Sequence, residues 1–128
     1  MEFSSLHHLA VICHDRAQAL HFYRDILGFT LTAEHVRPEK NDILLTLRKD
    51  TLVLEIFIKP NAPARVSGAC GEASGLRHLA FKTNDVVAAK RYLEAHNVTC
   101  EPVRTDDFDG KKMLFFFDPD GLPLELHE

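Results

Sequence analysis

The sequence predicts an α+β fold built from two tandem βαβββ modules, on three observations. Residues 7–15 read HHLAVICHD, and residues 77–85 read RHLAFKTND. Laid on itself at an offset of 70 without gaps, the chain shows ten identities in windows 8–22 and 44–55, where chance gives about two. Each copy also orders its signals alike: an alternating strand, a capped apolar stripe, then three further strands.

In the first copy, residues 6–13 alternate, with Leu9, Val11 and Cys13 set against His8, Ala10 and Ile12. Asp15 then offers a carboxylate to the free amides of a helix start. The helix runs to about Leu27 on an apolar stripe of Ala19, Leu20, Tyr23 and either Ile26 or Leu27. Gly28 stops it, because glycine takes the left-handed conformation at no steric cost. Strands follow near 29–35, 43–48 and 51–58. In the second copy a strand at 77–83 leads to Asp85 as cap, a helix to His96, and Asn97 in the role of Gly28. Its remaining strands are expected near 98–104, 112–117 and 122–127. The sheets are expected to be curved by their normal twist, with the helices packed outside.

The organisation read from this is a single domain over 1–128. Module one covers about 6–58 and module two about 76–128. Residues 59–75, rich in Pro, Gly and Ala and without a period, form the linker. A linker of that length is either a plain connector or a flap over a site.

Composition narrows the function. With 27% charged residues and a net charge of −4, nothing points to nucleic acid or an anionic membrane surface. No apolar run approaches the roughly 20 residues of a membrane span, and the N-terminus has neither the basic start nor the apolar stretch of a signal peptide. Three cysteines, Cys13, Cys70 and Cys100, are an odd number at irregular spacing, as expected of reduced thiols in the cytoplasm. Cys13 and Cys100 read as small core residues.

The last strand of each copy carries the chemistry. Leu52, Leu54, Ile56 and Ile58 share one face, which leaves Glu55 between Val53 and Phe57 on the other. Leu122, Leu124 and Leu126 leave Glu125 in the same position. His8 and His78 lie opposite the larger apolar residues of their strands, and each stands 47 positions before its glutamate. Taken singly, such a histidine is ordinarily hydrogen-bonded at the surface and such a glutamate solvated. Matched in face and spacing, His8, Glu55, His78 and Glu125 form a candidate ligand set for a divalent first-row metal. Four protein ligands around a six-coordinate ion leave two positions for substrate. Zinc, nickel, cobalt, iron and manganese all accept these donors, so the identity stays open. His7 has the opposite parity to His8. His127 shares the face of Glu125 and is a candidate supporting residue. Arg37, Lys40, Arg104, Lys111 and Lys112 are either solvated turn residues or contacts for an anion. Of Phe115, Phe116 and Phe117, at least one is expected to line a cavity and the others to be core.

Modules that open on H-x-A, the second closing on DPDGLPLE at residues 118–125, resemble the vicinal oxygen chelate superfamily. That superfamily includes glyoxalase I, methylmalonyl-CoA epimerase, extradiol dioxygenases, and fosfomycin-resistance and bleomycin-binding proteins. The resemblance runs from about Leu6 to Glu128. It implies a small-molecule partner and the glyoxalase I ligand pattern, matched by His8 with Glu55 and His78 with Glu125. It further implies a lyase or isomerase (lactoylglutathione lyase-like) that acts on vicinal oxygens through an enediolate-type intermediate. Glu125 is then the first candidate for the catalytic base and Glu55 the second. A homodimer is expected, with each site drawn from one chain or from two. The rival expectations are an extradiol-type Fe(II) dioxygenase, which needs only two His and one Glu, and a binding protein without catalysis.

Overall fold

The computed structural model describes residues 1–66 and 71–128. Residues 67–70, which include Cys70 and the middle of the expected linker, lie outside the described residues. The chain forms two compact units, Met1–Pro63 and Ala64–Glu128. Among the described residues no helix is long and apolar enough to cross a membrane.

The first unit opens on β1 (Leu9–Cys13) and α1 (Arg16–Leu20), whose backbone continues as a π-helical turn over His21–Ile26. Strands β2 (Thr30–Arg37), β3 (Asp42–Lys49) and β4 (Leu52–Ile58) follow. They make one four-stranded mixed sheet in the order β1-β4-β3-β2, with β1 parallel to β4. The second unit has β5 (Leu79–Lys82), α2 (Val86–Ala95), β6 (Arg104–Thr105), β7 (Lys112–Phe117) and β8 (Pro123–His127). Its sheet repeats the plan as β5-β8-β7-β6.

The caps are where the sequence puts them. Asp15 accepts from the Gln18 amide at 2.8 Å and Asp85 from the Ala88 amide at 2.9 Å, the N-cap bond that relieves an orphan donor. Gly28 (φ 78°) and Asn97 (φ 61°) both take the left-handed conformation that ends their helices. The strand expected at 98–104 is smaller than the pattern suggested. Only Arg104 and Thr105 pair with β7, and Cys100 makes an isolated bridge to Phe116.

The gapless offset of 70 needs correction. It holds for β1 against β5 and β4 against β8, where Ala10 pairs Glu55 and Ala80 pairs Glu125. In the middle of the modules it is 69. Leu45 lies across from Ile56 as Leu114 lies across from Leu126, and both leucines are fully buried. Leu114 therefore answers to Leu45, not Leu44. The extra residue in the first module is taken up in the π turn, where the Leu27 amide reaches back five residues to the Phe22 carbonyl. The second module recovers it in the β7–β8 hairpin. Asp50 and Thr51 fill the first hairpin, whereas Pro119, Asp120 and Gly121 stand between the bonded residues Asp118 and Leu122.

Each sheet has one buried face. In the first unit Val11, Cys13, Leu45, Leu47, Leu54, Ile56 and Ile58 are buried, together with Ala19, Leu20, Phe22, Tyr23 and Ile26 from the helical segment. In the second unit Leu79, Leu114, Phe116 and Leu124 play the same part, with Val86 and Leu93 from α2. The period-2 alternation then sends Glu55 and Glu125 out of the opposite faces.

Candidate metal-binding pairs

Each unit brings one predicted histidine onto one predicted glutamate. In the first unit His8 Nε2 lies 3.5 Å from Glu55 Oε2, and in the second His78 Nε2 lies 2.9 Å from Glu125 Oε2. Both histidines sit one residue before their strands begin. Cross-strand register supplies the neighbours. Glu55 stands between Ala10 and Thr46, and Glu125 between Ala80 and Phe115.

The pairs differ in burial. The Glu55 side chain is 27% exposed and that of Glu125 is 9% exposed. A carboxylate has about four acceptor positions, yet His78 is the only hydrogen-bonding partner of Glu125 among the described residues, with the His127 imidazole acting on it only through space. Neither Ala80 nor Phe115 has a side-chain donor. His78 Nδ1 is itself buried without a partner among the described residues, and the ring is steadied instead by an edge contact to Phe115, centroids 5.0 Å apart. Buried charge of this kind is ordinarily paired or bound to a metal. An underpaired buried carboxylate beside an imidazole, with a second His–Glu pair of the same chemistry, fits the donor set of a divalent cation.

One further supporting residue emerges, and the expected one, His127, takes other partners. The Nδ1 atoms of His7 and His8 are 2.8 Å apart, so one ring donates to the other. If His8 is the donor, its Nε2 keeps the lone pair that faces Glu55, the usual way an outer residue fixes a ligand's tautomer. Parity set His7 aside because it assumed a strand already running at residue 7, and β1 begins at Leu9. His127 belongs to a different cluster. Its Nδ1 donates to the Glu128 carbonyl at 2.9 Å, and its Nε2 lies 3.5 Å from Asp106 and 3.4 Å from Asp109. The Glu128 carbonyl, then the Asp109 and Asp106 carboxylates, push its imidazole above its ordinary value.

Cys13 is buried, and burial pushes the Cys100 thiol up, away from the reactive thiolate. Phe116 is wholly buried, while Phe115 and Phe117 lie on the face of Glu125 and line a cleft of about 310 Å³ that includes His78. Two of the three phenylalanines therefore reach the cavity.

The model of the Glyoxalase/Bleomycin resistance protein/Dioxygenase superfamily matches residues 5–126. The chain is 48% identical over 127 residues to the Escherichia coli (strain K12) protein "Uncharacterized protein YaeR", covering 96% of this chain and 95% of that one. It is 42% identical over 129 residues to "Uncharacterized protein YwkD" of Bacillus subtilis (strain 168), covering 100% and 99%. A crystal structure of "the glyoxalase family protein from Enterococcus faecalis" matches with a TM-score of 0.94 and 50% identity, covering the whole of both chains.

Proposed function

Because the chain belongs to the Glyoxalase/Bleomycin resistance protein/Dioxygenase superfamily, we propose that it is a metal-dependent lyase or isomerase of the glyoxalase I kind. Its protein ligands are His8, Glu55, His78 and Glu125, and its substrate is a small molecule with vicinal oxygens. Members of the superfamily commonly use divalent metals and bind small molecules. The observation that carries the reading is Glu125, a buried carboxylate whose one hydrogen-bonding partner among the described residues is His78.

Two carboxylates neutralise a divalent ion, and two imidazoles complete a set that first-row metals accept. When bound, such an ion supplies a Lewis acid for two neighbouring substrate oxygens. The protein's own residues do the remaining work. Glu125, its lone pairs unspent on other protein donors, takes a proton from the substrate carbon and returns it to the adjacent carbon. His78 holds the Glu125 carboxylate from one side, while the Phe115 ring limits water on the other. Glu55, more exposed and beside the hydroxyl-bearing Thr46, is the second candidate for that role. The reading includes a homodimer working in the cytoplasm, with the His–Glu pairs of each site drawn from one chain or from two.

The test is elemental analysis of protein purified without chelator or histidine tag, beside a His78→Ala variant. Stoichiometric metal in the wild type and loss of it in the variant are expected. Absence of metal from the wild type, even after incubation with zinc, nickel, cobalt, iron and manganese in turn, sinks the proposal. Iron together with oxygen consumption on a catechol would replace the isomerase with a dioxygenase.

A further inference from the structure

In each unit an arginine lies on an aromatic ring of the sheet face that bears the His–Glu pair. The Arg37 guanidinium is 4.9 Å from the Phe57 ring centroid, and that of Arg104 is 5.3 Å from the Phe115 centroid. Phe57 shares the face of Glu55 by alternation, and Phe115 stands directly across from Glu125. The two arginines differ in what else they hold. Arg37 gives Nε and Nη2 to the two oxygens of the buried Asp42, each at 2.6 Å, and Lys59 Nζ adds a third bond at 2.7 Å. Two of its five donors are thus locked in a bidentate pair with a buried carboxylate. Arg104 meets one carboxylate oxygen, Glu101 Oε2, through one nitrogen at 3.3 Å, with both side chains about half exposed. A pair of that kind is held weakly and exchanges readily. The guanidinium therefore keeps most of its five donors, while its plane is steadied by the ring beneath it.

That ring also touches His78 edge-on. Arg104, Phe115 and His78 line one cleft of about 310 Å³, with Arg77 and Glu101 at its wall. Arg77 is held closely by Glu72 through Nε at 2.6 Å and adds its positive charge at the rim, while Arg104 is the more weakly held of the two. We infer that the second module carries an anion subsite centred on Arg104, and that the substrate of this protein bears a carboxylate or phosphate group beside its vicinal oxygens. The inference rests on the proposed function for the word substrate, and on the cleft alone for the anion. On binding, the anion takes the place of Glu101 on Arg104, so one ion pair is exchanged for another and the stack on Phe115 is kept. A bidentate anion gains the planar match to guanidinium that a single Glu101 oxygen at 3.3 Å lacks.

The experiment is a titration of the full chain, freed of metal and at low ionic strength, with inorganic phosphate, lactate and lactamide. It is followed by NMR at the arginine Nε–H signals. Phosphate or lactate is expected to bind and lactamide, uncharged but of the same shape as lactate, to leave the signals unmoved. The tighter anion tells phosphate from carboxylate. Arg104→Met is expected to weaken binding at least about tenfold and Arg104→Lys to restore part of it. Glu101→Gln, which removes the competing carboxylate, is expected to tighten it severalfold, a gain that a structural role for Arg104 does not produce. Arg91→Met, on the exposed side of α2, serves as the unchanged control. Equal binding by Arg104→Met, equal binding of lactamide, or no binding of either anion at tens of millimolar overturns the inference. Metal content measured on each protein before its metal is removed separates the two ideas. Anion binding without metal loading leaves the subsite standing and removes the lyase reading, and metal loading with anion binding indifferent to Arg104 does the reverse.

Discussion

Replacing Glu125 with methionine separates what the carboxylate does for metal from what it does for the fold. Glu125 is 7% exposed and has one hydrogen-bonding partner, His78, among the described residues. Removing it leaves the His78 ring with no partner at either nitrogen, at a cost of about 1–3 kcal/mol. The same change relieves the protein of a desolvated, underpaired carboxylate, whose unmet burial costs about 1–3 kcal/mol. The two effects nearly cancel, so the metal-free variant should unfold within about 1 kcal/mol of the metal-free wild type. With metal the two proteins part. At a free ion concentration about a hundredfold above the dissociation constant, the wild type gains about 2.7 kcal/mol, or a rise of about 8–14 °C in Tm for a chain of this length. The variant should gain almost nothing. Calorimetry of chelator-treated protein, with and without each added ion, reads both quantities. A variant that keeps the full metal-dependent rise refutes the assignment of Glu125. A metal-free variant that loses more than about 3 kcal/mol shows that the carboxylate is part of the packing instead.

Two further perturbations test the frame around the pairs. The Arg37 guanidinium, and after it the Lys59 ammonium, hold the Asp42 carboxyl well below the usual carboxylate range. Its folded value lies below its unfolded one, so its stabilisation is complete above about pH 4 and is lost as pH falls through the folded value. Asp42→Asn should therefore flatten the dependence of stability on pH below about pH 4 in acid titrations followed by circular dichroism, and an unchanged slope would refute the assignment. Gly28→Ala should cost about 1 kcal/mol or slightly more through its φ of 78°. A Cβ there meets only Lys49 Nζ at an ordinary 3.5 Å, so a Tm fall of more than about 10 °C would mean that something other than backbone strain is at work.

The sequence announced what depends on period and chemistry, and hid what depends on register. Both caps, both left-handed stops and the faces of Glu55 and Glu125 followed from single residues and a repeat of two. The His–Glu pairings within each unit followed as well, because parallel pairing of β1 with β4 and of β5 with β8 puts the strand starts beside the right glutamates. The π turn was invisible, since residues 21–26 carry the same apolar stripe in either helical form. Without it the offset looked uniform, and Leu114 was set against Leu44, a slip that turns a side chain to the wrong face. β6 shrank to two residues because Pro102 and the turn around Asp106 leave little backbone free to pair. The contrast between Arg37 and Arg104 lay in partners that no pattern names, a buried aspartate in one case and a loosely held glutamate in the other.

The two one-residue adjustments, a widened helical turn in one copy and a longer hairpin in the other, bear on how such proteins are to be found. The identical separation of 47 within each His–Glu pair is the net result of two unequal paths that happen to sum alike. Each extra residue is absorbed where it enters, so either copy can gain or lose one there while its histidine and glutamate still face each other across neighbouring strands. A search for distant kin by fixed spacing will discard chains that have kept the same chemistry. One that asks which glutamate stands in register beside the strand following each histidine will retain them.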